Sequence, residues 1–469
     1  MTVDRSWRTA PPELWVLSAL ALLTRSWRLF SPGARVWDEV HFEEFASRYF
    51  SGSYYVDVHP PLGKLLFALA AWIAGVPAAA FTNAASAPQL RLVPALAGAL
   101  LIPTFWWFLR ELGASRKVAL LGAALALLDN GLLVQSRFVL MDMVLLWFGL
   151  ASVTLFLAAR RSDGVARWGW LAGSAVLAGA AAATKWTGLS ALGLIGLTWL
   201  LDAWRRGARV SLRRTVAEGA LLAALPVAVY LGSFAVHFAL LPNDGIGVRM
   251  MSPAFAATRH GNPAFRADAR LSFVSEVVEL HGVMLRVHRE IATVAQPAAS
   301  PWYTWPIAKH RIQFWVGVGD TNGDARHIEL LGNPVLWYGI LGVLALFAAA
   351  LALGRVRAGP QRGALAFLAV GYVMNYAPFA FITRPMYLYH YNTAWLFSAA
   401  LAVFALGILT GWQNDDGAPW MFASRRARAL YVGAFAAVVC SFVFFAPLSY
   451  GWQLDPNAMA RRTLLLERH

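Results

Sequence analysis

The chain is poor in charge and almost without cysteine. Only 14% of its 469 residues are Asp, Glu, Lys or Arg, against roughly 25% in a soluble domain. That shortage excludes a soluble globular enzyme, and with the high apolar content it excludes a disordered chain. The one cysteine, Cys440, lies in an apolar run, so an intrachain disulfide is impossible and no cysteine metal site can form. A Gly-rich phosphate loop, a Walker motif and a nucleophile elbow are all missing, which argues against nucleotide hydrolysis. The histidines lack a His-x-x-x-His spacing beside an acid, so zinc is not expected. No internal repeat or low-complexity tail stands out. A cleavable signal is not expected either, because the first apolar run leads into Thr24-Arg25-Ser26-Trp27-Arg28 rather than into small residues.

What the chain has instead is apolar length. Hydrophobic residues make up 58%, with 21 Trp and 28 Phe, and the mean hydropathy is +0.53. Runs long enough to cross a bilayer, about 17 to 25 residues each, are expected near 13–30, 90–109, 118–134, 138–158, 168–184, 187–203, 216–236, 335–353, 364–381, 392–411 and 430–447. The expected fold is therefore an all-α polytopic membrane protein with about eleven transmembrane helices. The net charge of +15 does not point to nucleic acid, because the basic residues fall in short connections: Arg110 to Lys117, Arg160 to Arg167, Arg205 to Arg214, Arg355 to Arg362 and Arg425 to Arg428. Such clusters belong in the cytoplasm. With Arg5 and Arg8 also inside, an eleven-span count places all five there and the C-terminus outside.

That count requires Leu62 to Val76, a short apolar stretch after Pro60-Pro61, to lie in the outer interface rather than to cross. His41 to Phe50 should also lie flat, with Phe42, Phe45, Ala46, Tyr49 and Phe50 on one stripe. Three regions follow: 1–236, an N-terminal transmembrane half carrying a first outer loop at 31–89; 237–334, a long extracytoplasmic segment; and 335–469, C-terminal helices and an outer tail.

Charges at the outer ends of the spans carry the chemistry. Asp38-Glu39 follows the first span. Adjacent acids raise each other's proton affinity, and a partly buried one can act as a base near neutral pH; the competing reading is a solvated pair capping the interfacial helix. Arg25, Lys64, Arg91, Arg137, Lys185 and Arg384 are expected at the same depth. Each taken alone could snorkel; as a ring around two acids they suit a cavity that holds a lipid phosphate. Asp129 and Asp142 could face it too, Asp142 rather as a structural partner of Arg137 or of a neighbouring helix. His59, His281, His288, Trp302, Trp305, Tyr387, Tyr389, His390 and Tyr391 could stack on a sugar or bond its hydroxyls. A membrane-interface aromatic belt accounts for the Trp and Tyr equally well.

Trp37-Asp38-Glu39-Val40-His41-Phe42, Phe45-Ala46-Ser47-x-Tyr49 and Asp57-Val58-His59-Pro60-Pro61-Leu62-Gly63-Lys64 resemble the first outer loop of the protein O-mannosyltransferases, polyprenyl-phosphate-mannose-dependent enzymes of the GT-C class. Arg25, Arg91-Leu-Val-Pro, Ser136-Arg137-Phe138 with Asp142, Lys185-Trp-Thr-Gly-Leu, Ser300-Pro-Trp-Tyr-Thr-Trp-Pro306 and Leu331-Gly-Asn-Pro-Val extend the resemblance over nearly the whole chain, in order. The 237–334 segment is too short for the sugar-binding repeat domain of eukaryotic members and matches the shorter bacterial form. The pattern departs from the family at Asn392-Thr393, after His390-Tyr391, and at Gln296-Pro297.

The resemblance implies a GT-C fold and inverting transfer of mannose from a polyprenyl phosphate to Ser or Thr hydroxyls of exported proteins, on the outer face of the plasma membrane. Asp38 is the implied catalytic base, with Glu39 beside it. Arg25, Arg91, Arg137, Lys185 and Arg384 are the candidates for the donor phosphate, and His59, Lys64, Trp302, Tyr389 and His390 for sugar or acceptor. The implied partners are the lipid-linked donor and a Ser/Thr-containing protein, engaged during translocation. No further cofactor is implied, and a metal is not required if cations neutralise the departing phosphate. Two alternatives remain open here: the same chemistry on a lipid or cell-envelope glycan, or a lipid-headgroup transporter without covalent chemistry.

Overall fold

The structure, a computed structural model, describes residues 11–76, 88–207, 211–292, 296–319, 324–417, 421–422, 424–463 and 467–468. Arg5, Arg8 and Arg209, used above for orientation, lie outside the described residues.

The expected spans coincide with helices. In chain order these are α1 (Pro12–Ser26), α2 (Glu39–Ser51), α3 (Leu62–Ile73), α4 (Leu92–Glu111), α5 (Arg116–Leu127), α6 (Asn130–Gln135), α7 (Asp142–Arg160), α8 (Gly164–Thr184), α9 (Leu189–Arg206), α10 (Leu212–Leu240), α11 (Pro253–Ala256), α12 (Phe273–Ile291), α13 (Pro334–Ala352), α14 (Arg362–Tyr376), α15 (Asn392–Thr410), α16 (Arg425–Tyr450) and α17 (Pro456–Thr463). Among the described residues eight are long and apolar enough to cross a membrane: α4, α7, α9, α10, α13, α14, α15 and α16, several of them with adjoining turns. The other three expected spans correspond to α1, to α5 with α6, and to α8. The stretch expected at 118–134 is broken at Leu128, where Asp129 caps α6 by accepting from the Leu132 amide at 2.8 Å.

α4, α7 and α15 are mostly buried within the protein, whereas α9, α10, α13, α14 and α16 turn most of their apolar residues outward. Outward-facing Leu and Val are what a lipid solvent requires. Inside, small residues let backbones approach: a Cβ at Gly179 of α8 would meet the Pro226 Cα of α10 at 2.7 Å, a small-residue contact of the kind that joins membrane helices.

The described residues of the two long loops pack against the bundle. α3 has 12 residues, too few to span. Gly63 lets it settle on the bundle, since a Cβ there would stand 2.5 Å from the Met141 sulfur. α2 buries Phe42, Ala46 and Tyr49 as its stripe predicts, and also Glu43, which pairs with Arg35 at 2.7 Å. The long second loop contributes α11, α12 and an unexpected antiparallel hairpin, β1 (His310–Val318) and β2 (Ala325–Leu330), bulged between Gln313 and Trp315. The alternation of Arg311 and Gln313 with Ile312 and Phe314, running into Trp315 and Val316, carried that signal.

Candidate active site

The hairpin fixes the turn ahead of the acidic pair. The Trp37 amide donates to the Phe314 carbonyl at 3.2 Å, and the two rings stack with centroids 5.1 Å apart. Trp37 has φ +53°, a left-handed backbone costing about 1 to 3 kcal/mol for a bulky residue. The stacked ring and the amide bond hold it there, and the chain then enters α2 with Asp38 as its N-cap residue.

The two neighbouring carboxylates meet opposite fates. Glu39 is wholly buried. Its Oε1 accepts from Arg91 Nε and the Val139 amide, both at 2.8 Å, and its Oε2 from Arg91 Nη2 at 2.7 Å and the Val36 amide at 2.8 Å. Arg91 then donates to the carbonyls of Leu29, Pro32 and Ala34 at 3.2, 2.8 and 3.0 Å. All five guanidinium N–H groups are thereby engaged. Asp38 is half-buried, and among the described residues its carboxylate accepts no hydrogen bond. Burial pushes its pKa above the usual carboxylate value, with Asp142 and Asp57 acting the same way and Lys185 and His41 opposing.

The expected ring of cations is split in two. Arg25 and Arg137 lie with Arg91 in the sealed layer behind Glu39. Arg137 donates to the Trp27 carbonyl at 2.6 Å and the Arg28 carbonyl at 3.1 Å, and covers the Tyr450 ring at 4.5 Å. Arg25 donates to Thr24 Oγ1 at 2.9 Å and the Leu127 carbonyl at 3.3 Å. Arg137 satisfies carbonyls at the end of α1 and Arg25 the Leu127 carbonyl that ends α5, and neither lines the cavity described next. This corrects the single ring expected for the donor phosphate: a charge at a span end needs a partner, and here backbone carbonyls supply it. Asp129 is likewise structural, accepting from the Asn333 amide and from Trp337 Nε1 at 3.0 and 2.7 Å.

Lys185 and Arg384 line a cavity of about 870 Å³ at the same end of the bundle, together with His59, Asp142, Tyr389 and His390. Lys185 is set by the break between α8 and α9. Its Nζ donates to both Asp142 oxygens at 2.8 Å and sits 5.7 Å from the centre of the Tyr389 ring. Asp142 therefore pairs with Lys185, not Arg137. Arg384 donates to His288 Nδ1 at 3.2 Å, which leaves the proton of a neutral His288 on Nε2, facing the Val58 carbonyl at 3.1 Å. Burial and then the Arg384 charge hold His288 below its ordinary value. His59 is held well below its ordinary value by burial and by Lys185, Lys64 and Arg384, so it is uncharged at neutral pH.

Lys64 pairs with Asp57 and donates to the His59 carbonyl at 2.7 Å. Burial lowers its pKa, with Asp57 opposing. Trp302 lies apart from the cavity, on a cleft of about 560 Å³ that shares Ile382, Thr383 and Arg384 with it. Trp186, of the Lys185-Trp-Thr-Gly-Leu run, and Asn392 and Thr393, where the pattern departs from the family, also line the main cavity, as do Ser190 and Asn375, which were not singled out from the sequence; Asn375, a polar residue inside an apolar run, was the available signal.

A family profile described as dolichyl-phosphate-mannose-protein mannosyltransferase matches residues 15–242, and one for the C-terminal four-helix transmembrane region of protein O-mannosyltransferase matches residues 273–467. Protein O-mannosyltransferase 1 of Drosophila pseudoobscura is 36% identical over 53% of this chain and 29% of its own length. Dolichyl-phosphate-mannose–protein mannosyltransferase 2 of Candida albicans is 29% identical over 67% of this chain and 45% of its own. The chain thus spans less than half the length of these curated relatives. The solved Saccharomyces cerevisiae protein O-mannosyltransferase Pmt1-Pmt2 complex, bound to the sugar donor, superposes with a TM-score of 0.85 at 19% identity, over 97% of this chain and 92% of that one. The oligosaccharyltransferase of Archaeoglobus fulgidus gives 0.54 at 14% identity, over 96% and 57%. The two profiles follow one another along nearly all of a multi-pass membrane chain with the GT-C fold, and the chain belongs to the protein O-mannosyltransferase family.

Proposed function

We propose that this chain transfers mannose, with inversion, from a polyprenyl phosphate to Ser or Thr hydroxyls of proteins crossing the membrane. One observation carries the reading: an uncommitted, half-buried carboxylate, Asp38, lies within electrostatic reach of Lys185 and Asp142, and those two residues, with Arg384, line a cavity sized for a lipid-linked sugar headgroup.

In the proposed step the acceptor O–H gives its proton to Asp38. The acceptor oxygen bonds the anomeric carbon from the face opposite the phosphate, and the carbon–oxygen bond to phosphate breaks with its electron pair leaving on the lipid phosphate. Lys185 and Arg384 stabilise that departing charge. Raised by burial, Asp38 is a stronger base than an exposed aspartate. Glu39 and Arg91 are positioning residues that hold the turn bearing Asp38. Tyr389, His390 and His59 line the place for the sugar; Lys64 acts through Asp57 and the His59 carbonyl; the Trp302 cleft, sharing Arg384, is the entry for the acceptor. On this reading the protein lies in the plasma membrane, with the N-terminus and the arginine clusters inside, the cavity and the C-terminus outside, as the clustering of arginines in alternate connections supports.

The test is a membrane preparation given polyprenyl-phosphate [14C]mannose and a Ser/Thr-rich peptide. Labelled peptide that is stable to lipid extraction is expected; label appearing only in lipid or glycan would overturn the acceptor assignment.

A further inference from the structure

Three helices run from the donor cavity to the other end of the bundle. α7 starts at Asp142 and ends at Arg160; α9 passes from Ser190 to Arg206; α14 passes from Asn375 back to Gly363. Their first-named residues line the donor cavity, and their far ends enclose a second cavity of about 720 Å³. A pocket of about 20 Å³ lies between them, sharing Ser190 and Asn375 with the donor cavity and Leu194 with the far one, and the two cavities have no lining residue in common.

The far cavity has two kinds of wall. At its rim stand Arg160, Arg161, Arg167, Arg205 and Arg206, against Glu111 and Asp202. Asp202 is taken by Arg160 in a two-fold pair at 2.6 and 2.9 Å. Arg167 is engaged by Glu218 behind the wall at 2.7 and 2.9 Å. Arg161 faces Glu111 at 3.7 Å and Arg206 shares Glu218 at 3.3 Å, so the five arginines outnumber the three carboxylates, and Arg205 is exposed. Deeper in, Leu197, Leu201 and Val370 present 40, 43 and 39% of their surface on helices whose outer faces suit lipid. Gly363 and Ala364 keep α14 thin there, and nothing lies within 4 Å of a Cβ built at Gly363.

A guanidinium rim above an apolar pocket between membrane helices matches one ligand chemistry, a phosphate diester carrying acyl chains. We propose that this cavity binds an anionic phospholipid of the leaflet opposite the donor cavity, with its phosphate at Arg205 beside Arg160 and a chain along Leu197, Leu201 and Val370. The proposal does not rest on the transferase reading, and its test does not measure transfer.

The full chain, purified and equilibrated with equal phosphatidylglycerol and phosphatidylcholine, would be examined by native mass spectrometry for retained lipid. Preferential retention of phosphatidylglycerol is expected. Arg205→Glu should lower it by at least about fivefold, the effect of one basic charge near a surface. Leu201→Trp, which fills the pocket from an exposed position, should lower it without changing charge. Arg357→Glu, on another exposed basic turn, should leave it unchanged. Equal retention of the two lipids would overturn the site. So would an equal loss in Arg357→Glu, which would mean diffuse attraction, and so would displacement of phosphatidylglycerol by added undecaprenyl phosphate in the wild type but not in Leu201→Trp, which would assign the cavity to the donor's chain.

Discussion

Two layers of cations lie at the same end of the bundle and differ in what their donors already hold. In the sealed layer Arg91 has every N–H engaged by Glu39 and three carbonyls, and Arg137 clasps the carbonyls ending α1. In the cavity layer Lys185 answers to one carboxylate and Arg384 to one imidazole, and both face open volume. The end of the bundle is common to both. Arg91, saturated by its own chain, has nothing left for a ligand, whereas Arg25 and Arg137 each keep a buried Nε without a partner among the described residues, so facing the open cavity, together with the commitment of donors, separates site from framework.

The largest effect that would sharpen this contrast is on the framework side. Glu39→Gln leaves Arg91 buried without its charge partner and should destabilise by about 3 to 5 kcal/mol, the usual consequence of breaking a buried pair. Thermal unfolding in detergent measures it. An unchanged melting temperature with lost transfer would move Glu39 into the chemistry.

On the cavity side, Lys185→Gln should lower kcat by about 10²- to 10³-fold, the scale of one donor to a developing anion, while the fold survives. It should also move the pH profile. Transfer requires Asp38 unprotonated, so activity falls as pH drops through its raised pKa. Lys185 opposes that rise, so its removal moves the acid limb to higher pH. Lys185→Gln with Asp142→Asn removes charges of both signs and should bring the limb back toward the wild type; a limb that stays put in both variants would detach Lys185 from Asp38. Arg384→Gln, whose cation is shared between the donor cavity and the Trp302 cleft, should raise KM for the donor about tenfold, the loss of one charge-assisted contact.

The smallest perturbation concerns orientation. In a Cys440→Ser background, Trp72→Cys at the exposed end of α3 should be labelled only from outside. Labelling from the cytoplasm would reverse the topology on which the proposed location depends.

Much of this frame was legible before any coordinates. The apolar runs located the helices, and the run from Trp37 to Lys64 pointed to the acidic turn and to its family. The division among the cations was not legible, for a physical reason. A charge in an apolar setting announces that it needs a partner, but not which one. Arg91 finds Glu39 52 residues away, and the partners of Arg137 are backbone carbonyls, which leave no trace in side-chain identity. Asp142 with Lys185 was half visible, as an acid reserved for a neighbouring helix. The hairpin that holds Trp37 was missed because its period-two alternation sits in a loop rich in turns and was not weighed against the helical stripes around it.

Asp38→Asn tests the central claim most directly, because it removes a base while keeping the shape of a side chain that among the described residues accepts no hydrogen bond. Transfer to peptide should fall by about 10²- to 10⁴-fold, with the melting temperature and the affinity for polyprenyl-phosphate mannose preserved. Transfer at the wild-type rate with the donor still bound would contradict it.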